Sequence, residues 1–187
     1  MKNVSNHNEE TLMAKLKSGE MPALGELYEM HSASVYRYAL RITRSKELAA
    51  DITQDVFVKI WQFKDRYKPE NLFKSWVMRI CSNLCLDRIK HHENRNTSFE
   101  YSEIEIAGKD QSVEDEVVYR QLGEALARCF YHLSDAHQQL LALRLDGELS
   151  VVETALALGC SVRTVHNQTA LAVESLRRMA AQTGFKD

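Results

Sequence analysis

The chain has 187 residues, enough for one ordinary domain or two small ones, and 24 Lys and Arg against 26 Asp and Glu leave a net charge of −2. With 44% hydrophobic residues, two prolines and seven glycines, it reads as a globular chain largely free to be helical. No run is long and uncharged enough to span a bilayer, and the N-terminal MKNVSNHNEE lacks the apolar core of a signal peptide, so the cytoplasm is the expected location.

In chain order, Met1 to Asn8 are polar and read as frayed. Leu12, Met13 and Leu16 suggest a short helix that stops at Ser18-Gly19, and Pro22 opens a second one reaching about Thr43. Its apolar face holds Leu24, Leu27, Tyr28, Val35, Ala39 and Ile42, with His31 among them as a core or boundary histidine. Ser45 is placed to cap a third helix, Lys46 to Phe63. On that helix Leu48, Ala49, Ile52, Val56, Phe57, Ile60 and Trp61 make one apolar arc. Asp51, Gln54, Asp55 and Gln62 line the other side, with Val58 among them.

Pro69 and Asn71 mark a loop, after which a helix resumes near Leu72 with Phe73, Trp76, Val77, Ile80, Leu84 and Ile89 as its buried stripe. From Lys64 to Arg95 there are eight basic residues against four acidic ones, interleaved with Tyr67, Phe73 and Trp76. Cations that follow a phosphate backbone, beside rings or apolar pockets that hold unstacked bases, are what a single-strand site requires. Phe73 and Trp76 read as core; Tyr67, in the loop, stands evenly between core and strand contact.

Asn96 to Glu116 reverses the charge, with seven acids and one lysine, and its periodicity fades. It reads as an acidic linker between domains. Helical spacing resumes from Val113 through Val117, Leu122, Leu126, Cys129, Phe130 and Leu133, then from Ser134-Asp135 through Leu145 to a turn at Asp146-Gly147. Ser150 caps a short helix, Gly159 suits a left-handed turn, and Ser161 caps a second helix anchored by Val162, Val165, Ala172 and Leu176. Ala155, Gly159 and Val165 fall at helix-turn-helix spacing.

Cys81 and Cys85 lie at i and i+4 with His91 and His92 close behind, but no complete zinc-ligand spacing is present. The four cysteines read as small buried hydrophobes, with a redox or metal role for the pair left open. No metal or cofactor is expected, and without a Gly-rich phosphate loop, H-E-x-x-H or G-x-S-x-G no enzyme is indicated.

D-x-x-Q-D-V-F-x-x-x-W at Asp51 to Trp61, then FKSWVMRICSNLCLDRIKHH, then the helix-turn-helix, make the chain resemble the sigma factors of bacterial RNA polymerase. Among them it resembles the extracytoplasmic-function group, which keeps only a sigma2 and a sigma4 domain. The resemblance implies an all-α chain: a sigma2-like bundle over residues 9–93, an acidic linker over 94–115, and a sigma4-like helix-turn-helix domain over 116–183. It implies no catalysis but promoter-specific initiation, with core RNA polymerase and promoter DNA as partners, no small-molecule substrate and no membrane insertion. A chain with two separable DNA readers is also open to silencing by an anti-sigma factor.

By the same resemblance Asp51, Gln54, Asp55, Val58, Trp61 and Gln62 dock on the polymerase. Arg66, Tyr67, Lys74, Arg79, Asn83, Asp87, Arg88 and Lys90 hold the melted minus-10 strand. Ser161, Arg163, Thr164, His166, Asn167 and Gln168 read the minus-35 duplex, where Arg suits guanine and Asn or Gln adenine. His166, Gln168 and Leu171 stand where the family commonly has basic residues, and Thr154 where it has an aliphatic one; Arg163, Arg177 and Arg178 only partly compensate. A free-standing helix-turn-helix regulator accounts for the C-terminal half but leaves the Asp-x-x-Gln-Asp face unexplained.

Overall fold

The computed structural model describes residues 2–93 and 123–182, and among them there are only helices and turns. The N-terminal group comprises α1 (Lys2–Lys17), α2 (Pro22–Thr43), α3 (Lys46–Phe63) and α4 (Phe73–Glu93), with two short 3-10 turns, Lys64–Arg66 and Pro69–Asn71, between the last two. The C-terminal group comprises α5 (123–131), α6 (Asp135–Leu145), α7 (Val151–Leu158) and α8 (Val162–Gln182). The expected acidic linker, with Val113, Val117 and Leu122, lies outside the described residues. No described helix is long and apolar enough to cross a membrane.

Local chemistry sets most of the boundaries. Pro22 opens α2 because its missing N–H is one that a first turn leaves unpaired anyway. Ser45 caps α3 by accepting from the Leu48 N–H at 3.2 Å. Ser150 and Glu153 form a reciprocal capping box on α7, which Gly159 ends at φ +67°. The first helix departs from expectation: α1 starts at Lys2 rather than near Glu9. Nothing between Lys2 and Asn8 breaks a helix, and once Leu12, Met13 and Leu16 are buried, each further turn adds hydrogen bonds without a new nucleation cost.

Burial follows most of the expected stripes, but Tyr28, Leu126, Leu145 and Val162, expected on apolar faces, are exposed. Leu27, Val35, Tyr38 and Ala39 of α2 meet Ala49, Ile52, Val56 and Ile60 of α3, all fully buried. The Leu, Val and Ile side chains among them each contribute about 1.5–3 kcal/mol on burial. Tyr38 brings its hydroxyl into that core and satisfies it on Ser82 Oγ of α4 at 3.0 Å. Cys81, Cys85 and Cys129 are buried as expected of small hydrophobes, whereas Cys160, after the Gly159 turn, is only half-buried; burial pushes the Cys81 thiol well up, and its Sγ lies 3.8 Å from the Val35 carbonyl. Among the described residues no three His, Cys, Asp or Glu side chains gather as metal ligands.

The apolar core runs on from the N-terminal group into the C-terminal one. Helix α7 packs along α4, and α6 reaches α2. Gly147 shows how close this approach is: a Cβ there would stand 2.7 Å from the Leu143 carbonyl oxygen and 2.9 Å from Met78 Cε of α4.

Candidate nucleic-acid and polymerase interfaces

Asp51, Gln54, Asp55, Val58 and Gln62 recur at helical spacing and form one stripe along the outside of α3. Asp51, Gln54 and Gln62 are exposed, and Val58 leaves 52% of its surface in solvent at the middle of the stripe. Trp61 lies at its edge, half-buried, with Lys64 Nζ 3.4 Å above its ring. Asp55 accepts a 2.7 Å hydrogen bond from Arg88 of α4, so two residues expected to serve different partners are paired. An acidic and amide stripe with one apolar centre fits a partner surface carrying cations around an apolar socket.

A groove of about 680 Å³ opens where the C-terminal half of α3 faces α4. It gathers four of the eight expected strand residues, Arg66, Arg79, Asn83 and Asp87, and adds Lys59, Phe63, Trp76, Ile80 and Leu84. Arg66 and Lys59 both lie over the Phe63 ring, at 4.8 and 5.6 Å from its centroid. Cations, an amide and ring faces in one concave site can hold a phosphate backbone and an unstacked base together. Lys59 and Phe63 were legible only as an i, i+4 pair at the end of α3; nothing local showed that α4 would face them.

The aromatic assignments change places. Tyr67 is buried, not a surface strand contact: Lys17 at the end of α1 donates to its carbonyl at 2.8 Å and lies over its ring. Its ring packs against Phe73 and Trp76, its hydroxyl has no hydrogen-bond partner, and burial pushes its pKa up to about 12. Trp76, expected in the core, is instead half-buried and lines the groove. Lys74, Arg88 and Lys90 do not line it. Lys74 points to Glu148, Arg88 pairs with Asp55, and Lys90 is exposed further along α4.

On the helix-turn-helix, Arg163, Thr164, His166 and Asn167 are exposed on the first turns of α8, above the buried anchor Val165. Ser161 is the cap: its Oγ accepts the Thr164 N–H at 3.0 Å and contacts Thr164 Oγ1 at 2.8 Å. Gln168 is half-buried, its Oε1 lying 2.8 Å from His137 Nε2, so the ring can fix its amide. Thr154 is fully buried, and its hydroxyl donates to the Ser150 carbonyl at 2.8 Å, which satisfies a polar group at an aliphatic position. A second hollow, about 510 Å³, brings Arg144 and Arg177 beside His166.

Residues 27–95 match the family model described as sigma-70 region 2. The chain is 26% identical over 176 residues to the ECF RNA polymerase sigma factor SigW of Bacillus subtilis, covering 88% of this chain and 92% of that protein. It is 27% identical over 167 residues to the RNA polymerase sigma factor NccH of Alcaligenes xylosoxydans xylosoxydans, covering 88% and 90%. In fold it resembles CnrH, solved in complex with the cytosolic domain of CnrY, at a TM-score of 0.69 and 21% identity over 94% of this chain and 98% of that one. It also resembles the sigma factor RpoE of Bartonella quintana, solved with the anti-sigma factor NepR, at 0.66 and 16%, covering 84% and 96%. Residues 27–95 thus carry a sigma-70 region 2, and over most of its length the chain is similar to extracytoplasmic-function sigma factors.

Proposed function

We propose that this chain binds core RNA polymerase and directs initiation at promoters it reads at two elements, without catalysing a reaction itself. The observation that carries the reading is the groove between α3 and α4, where Arg66, Arg79 and Asn83 converge beside Trp76. In this reading the α3 stripe centred on Val58 docks on polymerase, the groove holds the melted minus-10 strand, and the exposed start of α8 enters the minus-35 major groove. The functional division is 9–93, a connector over 94–115, and 116–183. Strand opening follows from binding the single strand better than the duplex, which shifts an equilibrium that polymerase sets up.

Arg144 of α6 and Arg177 on α8 itself supply cations that partly replace those missing from its recognition face. Weak binding by the helix-turn-helix alone is tolerable, since polymerase raises the effective concentration of the second contact. An anti-sigma factor is the proposed regulator, supported by the RpoE relative having been solved with one. The test is transcription by core polymerase with and without the protein, on promoters selected from randomised minus-35 and minus-10 elements. The reading expects protein-dependent transcripts sharing a two-element motif. Duplex binding by the protein alone, with no core binding, would make it a free-standing regulator.

A further inference from the structure

From its cap at Ser161 to Gln168, the start of α8 carries one permanent charge, Arg163. His166 is the one other side chain on that stretch able to bring a positive charge to a phosphate, and it is exposed. It also lines the 510 Å³ hollow. There His166, Ala170, Val173 and Arg177 follow one another at helical spacing along one side of α8, so a basic group stands at each end of a small apolar floor. Arg144 enters from α6, half-buried and steadied by donating through Nη1 to the Leu149 carbonyl at 2.6 Å. The Thr169 hydroxyl donates to the Val165 carbonyl at 2.7 Å, so its proton is already engaged and the donors left for an anion are the cations. His166 and Arg177 stand about 16 Å apart along the helix at 1.5 Å per residue, which suits a run of DNA backbone rather than one isolated phosphate.

We propose that this flank of α8 is a proton-linked site for DNA backbone: His166 takes up a proton when a phosphate of the minus-35 duplex seats against it, so promoter affinity rises as pH falls. The inference rests on α8 being the minus-35 reader. Histidine is the side chain whose charge ordinarily changes between about pH 5 and 8, and a facing phosphate favours its charged form. A complex that holds more protons than its separate parts is strengthened by adding protons and weakened by removing them. The charged groups that line the hollow with the imidazole are Arg144 from α6 and Arg177 and Glu174 from α8, while α7 contributes Val151. Arginine keeps its charge throughout, so the imidazole is the cation of this site that titrates.

The test titrates holoenzyme, assembled from core polymerase and the full chain, with a fluorescent duplex carrying the selected minus-35 element, at about pH 6 and about pH 8 and over a range of salt. His166→Gln keeps a hydrogen-bonding side chain that cannot charge, and His166→Lys carries the charge at both pH values. The site is exposed, so neither variant buries a new group, and circular dichroism checks that each remains helical. Expressing each affinity relative to His166→Gln at the same pH removes the pH dependence of core polymerase itself. The unmodified protein should match His166→Gln within about twofold at the higher pH and bind about fivefold tighter at the lower, the gain from one more neutralised phosphate near physiological salt. His166→Lys should be tighter by a similar factor at both. The log–log salt slope of the unmodified protein should steepen by about 0.9 between the higher and the lower pH, and those of the two variants should not.

A ratio of unmodified protein to His166→Gln that is the same at both pH values overturns the proton linkage, and so does a steepening of the salt slope that His166→Gln shares. If scrambling the minus-35 element costs the unmodified holoenzyme no affinity, and His166→Gln and His166→Lys bind alike at both pH values, the minus-35 reading of α8 has failed and the inference with it. A flat ratio on a promoter that does lose affinity when scrambled sinks the proton linkage alone.

Discussion

Asp55→Arg separates docking from folding. Asp55 and its partner Arg88 are 40% and 45% exposed, and an ion pair in that setting contributes about 0–1 kcal/mol. The arginine introduced would stand near Arg88, adding repulsion of about 1 kcal/mol at 4 Å in water. The combined loss is therefore at most about 2 kcal/mol, and at about 2–4 °C per kcal/mol for a chain of this size the melting temperature should fall by no more than about 8 °C. Docking should suffer more, because the change reverses a charge in the middle of the α3 stripe, and a like charge meeting a partner cation costs several kcal/mol. Fluorescence titration of labelled protein with core polymerase should show affinity falling at least about tenfold, with the helical signal retained. Arg88→Ala is the control: it removes the same ion pair and leaves the stripe intact, so its core binding should match that of the unmodified protein. Unchanged core affinity in Asp55→Arg, or equal losses in both variants, would refute the assignment of this face.

Asn83→Ala should cut transcription from the selected promoter at least about tenfold while leaving core binding intact, since each good base contact supplies about 1–3 kcal/mol of discrimination; equal transcription from cognate and mismatched promoters in the unmodified protein would remove its proposed role. Tyr67→Phe removes a buried hydroxyl without a partner, so thermal melting at neutral pH should show stability unchanged or raised by up to about 1 kcal/mol. The same variant tests pH linkage. Because the folded pKa is raised to about 12 from 10, stability is fully present below about pH 10 and falls as pH rises through 12; Tyr67→Phe should flatten that loss in alkaline denaturation. Gly159→Ala, at φ +67° with room for a methyl group, should cost about 1–2 kcal/mol through backbone strain alone, read as a lower melting temperature. Gly147→Ala meets the Leu143 backbone instead, and overpacking there should cost about 1–3 kcal/mol.

What the sequence by itself determined is whatever depends on neighbours a few residues away. The α3 stripe from Asp51 to Gln62 follows from helical period, and the starts of α3 and α7 follow from Ser45 and Ser150, each bonded within three residues. The Gly159 turn and the exposed face from Arg163 to Asn167 are equally local, and the order of the three motifs carried the family. Tertiary structure alone decided which aromatic is wet. Tyr67 is buried because Lys17, 50 residues earlier, brings the end of α1 across its loop, and Trp76 is left to line the groove. It also decided that Asp55 meets Arg88, and that Arg41 meets Asp146 across 105 residues. Periodicity says which side of a helix is apolar, but not which element will cover it. That depends on how whole helices pack, and their packing angles and contacts arise only when faces from distant parts of the chain are buried together.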